Sequence, residues 1–277
     1  MSSNNGIDFA KAFGYHSLAA AIVFAILYFP LLAYFIFQSF ARPTYVHIVM
    51  VVFCLIRIAA FVLRAVLVSV ESEGQKLSLL IADQILFGVG FFGLLYSAYT
   101  LVLDIEIMLN RPESANPIVR LAKNRRIFRL GLLIAVILVI SSTSSTNSDG
   151  TISNSSKIQH EVGVAIFLVL TAVQAFQTLV LAKMEIELSR QEKRANERFG
   201  SRHAMSILLL ASTLLLVREI FSIITVNNAA KQNTEHFWYP LFAVPEILVA
   251  LLFTTPGLVP RREELQQRYH QNAQPHV

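Results

Sequence analysis

The sequence predicts an all-α, polytopic membrane protein: a bundle of seven transmembrane helices with an external N-terminus and a cytoplasmic C-terminus. Composition, apolar runs and the placement of basic residues lead to this fold class. Of the 277 residues, 55% are hydrophobic and 15% are charged, unlike the balance of a soluble domain. Several nearly uncharged runs exceed twenty residues, which indicates membrane spans. The high apolar share and the low charged share exclude disordered and coiled-coil classes, and the single cysteine, Cys54, excludes a disulfide scaffold.

Seven stretches have the length and apolarity of a spanning helix, about 20 residues. They are residues 17–40, 45–70, 77–107, 127–145, 160–183, 203–226 and 237–259. The first is too long for the apolar region of a cleaved signal peptide, and we expect it to be retained. Pro30 interrupts the first span, and Pro240 and Pro245 interrupt the seventh. Because proline frees a carbonyl one turn earlier, these positions predict helix kinks.

Basic residues set the predicted direction of the spans. On the N-terminal side the connecting segments carry four: Lys11, Lys76, Lys157 and Lys231. On the other side they carry fourteen: Arg42, Arg111, Arg120, Lys123, Arg125, Arg126, Arg190, Lys193, Arg194, Arg198, Arg202, Arg261, Arg262 and Arg268. Cytoplasmic loops are enriched in Lys and Arg, so we expect the C-terminus in the cytoplasm. The net charge of +5 then reports orientation, and we expect no nucleic-acid partner.

These assignments divide the chain into three parts. Residues 1–16 form an extracellular or lumenal segment, residues 17–259 form the bundle, and residues 260–277 form a cytoplasmic basic tail. The sequence Asn154-Ser155-Ser156 is a glycosylation acceptor in a loop assigned to the outside, which agrees with this orientation. Residues 183–202 mix charges at helical spacing, so we expect the fifth span to continue as a solvated helix. The alternative, for this stretch and for the tail, is a docking surface for a cytoplasmic partner or anionic lipid.

Six ionisable residues lie within the predicted spans, where each costs about 2.5 to 3.5 kcal/mol to insert. They are Arg57, Arg64, Asp83, Arg218, Glu219 and Glu246. Arg57 and Arg64 are seven residues apart, so they share one face of their helix. Helix rise places most of the six in the outer half of the bilayer. With Gln84, they predict an outward-facing polar cavity that binds a ligand. The alternative is an ion-pair network that only fixes helix packing, although such networks are poor sources of stability.

One stretch of the third span matches a cofactor-binding motif. Residues 88–93 (GVGFFG) match the dinucleotide fingerprint, but they lie mid-span without a preceding strand, so we predict no cofactor. Gly90, Gly93 and Ser97 instead allow close approach of a neighbouring helix.

Metal and catalytic patterns were weighed in the same way. The histidines His16, His160 and His236 lie near outer helix ends and form no paired motif on one helix, so we predict no metal site. Intramembrane zinc hydrolases carry histidines deep within their spans. Because no histidine of this chain lies deep within a span, we predict that the protein is not an enzyme.

Several short motifs follow one another in the order of a known family. They are Gly14-Tyr15, Phe37-Gln38, Arg64, Val217-Arg218, Ile220-Phe221, His236-Phe237-Trp238-Tyr239, Pro245 and Pro256-Gly257. In these the chain resembles the fungal lipid-translocating-exporter-like proteins of the aminocholesterol-resistance type. The resemblance implies a fungal seven-span protein tied to lipid transport and stress resistance. A related group of uncharacterised fungal seven-span proteins fits equally well.

The chain departs from that family at several positions in or next to the predicted polar cavity. Arg57 stands where the family tends to have Glu, and Ser222 and Thr225 stand where an Arg and a Glu are expected. Phe242 replaces an expected Asp, while Glu246 follows the seventh-span proline. These differences indicate a distant branch with a different ligand.

The functional hypothesis follows from the charges and the resemblance together. We expect a multi-pass protein of the plasma membrane or an endomembrane that binds, translocates or senses an amphipathic lipid or lipid-like toxic compound. Its partners would be membrane lipids and that amphipathic ligand. The first alternative is a receptor-like sensor that signals through the basic cytoplasmic loops without transport. The second is a membrane scaffold without a small-molecule site.

Overall fold

The computed structural model describes residues 9–108, 124–144, 153–189 and 203–273. Within these ranges every regular element is helical, which confirms the predicted all-α class. In chain order the elements are α1 (Phe9–Ala12), α2 (Leu18–Ala41), α3 (Tyr45–Ser69), α4 (Glu71–Gly74), α5 (Leu77–Met108), α6 (Arg125–Ser144), α7 (Asn154–Ser189), α8 (Ala204–Thr225), α9 (Ala229–Asn233), α10 (Glu235–Trp238), a π-helix (Tyr239–Ala243), α11 (Val244–Leu252) and α12 (Arg262–Ala273).

Seven helical stretches among the described residues are long and apolar enough to cross a membrane. They are α2, α3, α5, α6, α7, α8 and the seventh stretch, Glu235–Leu252. This confirms the predicted number and order of spans. Large apolar side chains such as Phe37, Phe40 and Ile224 lie exposed on the helices, as expected for a surface that faces lipid tails. The direction in which the spans cross stays a prediction.

Hydrogen bonds at helix starts fix the ends of the bundle. The Ser17 hydroxyl accepts from the Ala20 backbone N–H at 3.1 Å and caps α2. The Glu235 carboxylate accepts from the backbone N–H groups of His16 (2.8 Å) and Ser17 (2.7 Å). The start of the first span is therefore tied to the start of the seventh.

Consecutive spans pack against one another, from α2 on α3 through α7 on α8. The seventh span closes the bundle, since α11 contacts α8, α5 and α2. Helix α5 lies in the middle and also packs against α3, α6, α7 and α8. Its half from Leu94 to Ile105 is almost entirely buried. Helix α5, which carries Asp83, therefore contacts both α3, with Arg57 and Arg64, and α8, with Arg218 and Glu219.

Proline affects the seventh span and the first differently. In the seventh, α10 gives way at Tyr239 to the π-helix, which contains Pro240, and α11 begins at Val244, just before Pro245. The predicted interruption therefore appears as a change in helix type. In the first span, α2 runs without a break through Pro30. π-helical segments of this kind are frequent at functional sites.

Some predicted boundaries differ from the structure. The seventh span was expected to reach Val259, but α11 ends at Leu252 and the predicted end is wrong. Turns begin at Phe253, and Gly257 lies further along with a φ of 91°, a conformation that suits glycine. Helix α7 begins at Asn154, which is exposed, and continues beyond Lys183 to Ser189. The rest of the predicted solvated helix lies outside the described residues, as do eight of the fourteen predicted cytoplasmic basic residues, in 109–123 and 190–202.

Candidate functional site

Four of the predicted charged residues form one ion-pair network, which we call the paired cluster: Arg57, Arg218, Glu219 and Glu246. Glu246 Oε1 accepts from Arg57 Nη2 at 2.7 Å and from Arg218 Nε at 3.2 Å. Arg218 Nη1 also donates to Glu219 Oε1. The four side chains come from α3, α8 and α11, so the cluster joins three spans. Two cations and two anions cancel within it.

Backbone groups of α5 complete the environment of Arg57. Its guanidinium donates to the carbonyl oxygens of Leu86 (3.3 Å) and Phe87 (3.0 Å). Gly90 makes this approach possible, because a Cβ atom there would lie 2.8 Å from Arg57 Nη1. The close approach predicted at Gly90 is thus made by a charged side chain of the neighbouring helix. At Gly93 a Cβ atom would lie 3.3 Å from Val49 of the same neighbour.

Arg64 lies two turns further along α3 and has no comparable partner. Its side chain is 1% exposed, yet none of its three guanidinium nitrogens has a hydrogen-bond partner among the described residues. Aromatic rings surround it instead, with Cζ 3.6 Å from the ring centroid of Trp238 and 4.0 Å from that of Tyr15. Such contacts favour a cation but leave its N–H groups unsatisfied.

Asp83 stands close to this arginine and is only half satisfied. Its Oδ2 accepts from the Tyr15 hydroxyl at 2.8 Å, and Gln84 Nε2 donates to the same hydroxyl oxygen at 3.2 Å. Asp83 Oδ1 is buried and has no hydrogen-bond partner within the described ranges. Burial, together with the negative charge of Asp83, raises the pKa of Tyr15 above its usual value near 10, so the phenol remains a donor.

A cavity of about 70 Å³ brings five of the seven predicted residues together. These are Arg64, Asp83, Gln84, Arg218 and Glu219. Arg57 and Glu246 lie behind the cavity wall, in the paired cluster. The cavity therefore has a paired side, formed by Arg218 and Glu219, and an unpaired side, formed by Arg64 and Asp83. We call it the polar cavity.

A second cavity of about 130 Å³ adjoins the first. The two share four lining residues, Gln84, Thr143, His160 and Gln232. The rest of the second lining includes Phe13, Leu77, Leu80 and Ile81, and the surface is mostly apolar. We call it the apolar cavity. Together they form a polar compartment next to an apolar one.

The aromatic walls of the site were missed by an argument that considered only charges and helix breakers. Tyr15, Phe87 and Trp238 surround Arg64, while Phe91 and Phe242 lie 3.8 and 4.0 Å from Arg218 Cζ. A local signal was present only for Phe53, which precedes Arg57 by one helical turn and lies 5.2 Å from its Cζ. Phe242 contacts Arg218 on a different helix, so its contact had no local signal.

The three outer histidines have separate surroundings. His160 Nδ1 lies 3.3 Å from the Ser142 hydroxyl, and His236 packs edge-on against Phe237. His16 interacts with Glu235 through its backbone. Among the described residues, no three His, Cys, Asp or Glu side chains are grouped so that they could hold a metal ion.

Comparison with known proteins gives one family. The family described as "Domain of unknown function (DUF7702)" matches residues 15–263. The chain belongs to this family. The DUF7702 match begins at Tyr15, which carries the hydrogen bond to Asp83, and extends past α11, so it includes every predicted site residue. No curated protein and no solved structure matches the chain. The resemblance to the lipid-translocating-exporter-like family stays a prediction.

Proposed function

We propose that this DUF7702 protein binds an amphipathic lipid or lipid-like compound, with the polar group in the polar cavity, and moves that compound or senses it. The observation that carries the proposal is Arg64, a buried arginine at a cavity wall whose three nitrogens form no hydrogen bond with the part of the chain that the structure describes. A buried charge without partners is strongly destabilising. A ligand that satisfies these donors provides the reason for keeping the arginine there.

The shape of the site supports an amphipathic ligand. The polar cavity offers charged groups, and the adjoining apolar cavity offers Leu77, Leu80 and Ile81. Gln84 lines both, so a molecule that occupies both would pass this side chain. The paired cluster behind the polar cavity holds Arg218 and Glu219 in fixed positions, which favours a pre-formed site.

The scaffold alternative has less support. It requires charges that satisfy one another in a bundle without a void. Here the paired cluster meets that requirement only in part, because Arg218 and Glu219 line the polar cavity and Glu219 Oε2 has no hydrogen-bond partner among the described residues. Arg64 and Asp83 also line this cavity, and in the described part of the chain the Arg64 nitrogens and Asp83 Oδ1 have no hydrogen-bond partner. These two residues favour a ligand over a purely structural network.

Binding tests the proposal directly. The purified full chain in maltoside micelles is titrated with a fluorescent lysophospholipid, and Arg64→Gln is compared with Arg261→Gln. Arg261 is an exposed arginine paired at 3.9 Å with Glu264, so its loss changes the total charge equally. Loss of charge-assisted hydrogen bonds should weaken binding about tenfold in Arg64→Gln and leave the control unchanged. Equal affinities for the two variants would refute the proposed site.

Transport and sensing are separated by flux. The same lysophospholipid is placed on one side of proteoliposomes, and its appearance on the other side is followed with and without protein. Protein-dependent flux that Arg64→Gln abolishes would support a transporter. Binding without flux would support the sensor alternative, in which basic cytoplasmic loops contact a partner. One observation favours sensing. Phe242 in the π-helix contacts Arg218, and Trp238 just before the π-helix contacts Arg64, so a ligand bound at these arginines would act directly on this segment.

The proposal includes the predicted orientation, with Asn154 outside the cytoplasm and the protein in the plasma membrane or an endomembrane. Asn154 is exposed at the start of α7. In a eukaryotic host, the wild type should lose apparent mass on treatment with an N-glycosidase, whereas Asn154→Gln should not. A wild type without any glycosidase shift would remove the support that this motif gives to the orientation.

A further inference from the structure

We infer that the polar group accepted by the polar cavity is a small zwitterion, with anionic oxygens bound by Arg64 and a primary ammonium bound by Asp83. This inference rests on the proposed function and specifies the ligand class of the same site. Its shared chemistry, a phosphate or carboxylate near an ammonium, occurs both in lipid head groups and in free molecules, so the experiment distinguishes these sources.

The first requirement comes from Arg64. A guanidinium has N–H donors and no acceptor, and all three nitrogens of Arg64 lack acceptors among the residues that the structure describes. The rings of Tyr15 and Trp238 occupy contact positions around Cζ but cannot accept at the in-plane edges, where the N–H groups point. Planar, two-pronged donation of this kind fits a carboxylate or a phosphate. The group next to Arg64 must therefore carry anionic oxygens.

The second requirement comes from carboxylate oxygens without donors. Asp83 Oδ1 and Glu219 Oε2 are both buried and unpartnered, and both residues line the polar cavity. An ionised carboxylate only accepts hydrogen bonds. The same ligand must therefore also bring an N–H or O–H donor. Because Glu219 is already paired with Arg218, the uncompensated negative charge is that of Asp83.

Charge balance then selects an ammonium as this donor. The paired cluster is neutral, and Arg64 and Asp83 carry one charge of each sign. No carboxylate oxygen of the described residues lies within 4.0 Å of an Arg64 nitrogen, so the two are separated without a direct ion pair. A ligand with only a negative charge would be repelled by Asp83, and a ligand with only a positive charge would be repelled by Arg64. A zwitterion pairs with both and leaves the site neutral, which a low-dielectric environment strongly favours.

The size of the cavity limits the group further. At about 70 Å³, the polar cavity has room for roughly five water-sized positions. A phosphate with a primary ammonium two carbons away is of this scale. A trimethylated ammonium is bulkier and has no N–H to donate to Asp83. Primary and quaternary ammonium head groups should therefore be distinguished.

The test uses two lipids that differ only at the ammonium. Binding of dihexanoyl-phosphatidylethanolamine and dihexanoyl-phosphatidylcholine to the full chain in maltoside micelles is measured by calorimetry. The ethanolamine lipid should bind about tenfold more tightly, because only it donates to the carboxylate. Equal affinities would overturn the inference. This ratio is measured on the wild type, so it does not depend on a variant that folds.

Variants and a soluble probe complete the experiment. Asp83→Asn should reduce the preference to less than about threefold, and Arg64→Gln should weaken both lipids by about tenfold. A preference that persists in Asp83→Asn would contradict the assigned ammonium position. Free phosphoethanolamine bound as tightly as the lipid would support the zwitterion but identify a water-soluble source.

Failure of the inference is distinguishable from failure of the proposed function. Arg64-dependent binding of both lipids with equal affinity refutes only the zwitterion. The site itself is refuted if Arg64→Gln changes the binding of none of the four probes, which are the two lipids, the lysophospholipid of the first titration and phosphoethanolamine.

Discussion

Arg57 and Arg64 lie on one face of α3, two turns apart, and their side chains are 0% and 1% exposed. Both contact the Phe87 ring, but their hydrogen-bond partners differ. Arg57 donates to a carboxylate and two carbonyl oxygens, whereas Arg64 contacts only rings and a cavity. The comparison shows that burial alone does not define the role of a membrane arginine. The number of satisfied N–H groups separates a packing residue from a candidate ligand residue.

The register between α3 and the seventh span explains the difference. Arg57 meets Glu246, and Arg64 meets Trp238. Seven residues forward on one helix therefore correspond to eight residues back on the other, as expected for antiparallel helices. A carboxylate lies at the level of Arg57, and an indole ring lies at the level of Arg64. The position of Glu246 along its helix thus determines which arginine is paired.

The largest effect should come from Glu246→Gln, which removes the carboxylate shared by Arg57 and Arg218. Breaking a buried ion pair on one side costs about 3–5 kcal/mol, because it leaves buried charge uncompensated. We expect a loss of this size in the free energy of unfolding, measured by SDS titration in mixed micelles. An unchanged unfolding midpoint would mean that the paired cluster does not stabilise the bundle.

Tyr15→Phe tests the unpaired side with a smaller change. It removes the hydroxyl that donates to Asp83 at 2.8 Å, and a hydrogen bond to a charged group contributes about 1.5–3 kcal/mol. Tyr34→Phe is the matched control, since its hydroxyl donates to the neutral Thr254 carbonyl at 2.7 Å and its loss should cost about 1 kcal/mol. The same SDS titration compares the two variants. A larger loss in the control would contradict the assigned role of Tyr15.

Gly90→Ala tests the space that α5 provides for Arg57. The new methyl group would lie 2.8 Å from Nη1 and 2.9 Å from Cζ of a guanidinium held by three acceptors. Overpacking of this kind costs about 1–3 kcal/mol. Gly88→Ala, whose nearest atom would be 3.7 Å away, should instead stabilise the helix by about 0.5–1 kcal/mol. Thermal unfolding in detergent distinguishes these opposite signs, and equal shifts would refute the steric argument.

Arg64→Gln should have the smallest effect on stability. The cation–π contacts that it removes contribute about 2 kcal/mol, and the desolvation penalty that it relieves is several kcal/mol. We expect an unfolding free energy equal to or slightly above that of the wild type, measured by SDS titration, together with the loss of ligand binding described above. A loss as large as that in Glu246→Gln would show that Arg64 is a packing residue like Arg57.

Much of the architecture could be predicted from the sequence because spans depend on local composition. Runs of apolar residues located all seven helices, and charges inside those runs located the residues that meet at the bundle interior. The predicted end of the seventh span was wrong because it was placed at Val259, beyond Thr254, Thr255, Pro256 and Gly257. The Pro-Gly pair is a turn signal, so this boundary could have been predicted from the sequence.

Pairing within the cluster could not be predicted, because it depends on the register of distant helices. Arg57 and Glu246 are separated by 189 residues. The sequence around either residue does not indicate that the two form an ion pair. The sequence placed Arg57 and Arg64 in one class, since both are arginines on the same face of the same span. Tyr15 lay before the first span and was therefore left out of the predicted site, although it donates to Asp83.

The long separation between Arg57 and Glu246 also constrains the order of events during synthesis. The second span enters the bilayer while the seventh is still untranslated, so Arg57 is inserted before its carboxylate exists. The Glu235 contact with the start of the first span spans 219 residues and forms equally late. A nascent chain that stops before the seventh span therefore exposes an uncompensated intramembrane arginine and a loose first helix. Both are features by which a cell's quality-control machinery can recognise an unfinished membrane protein.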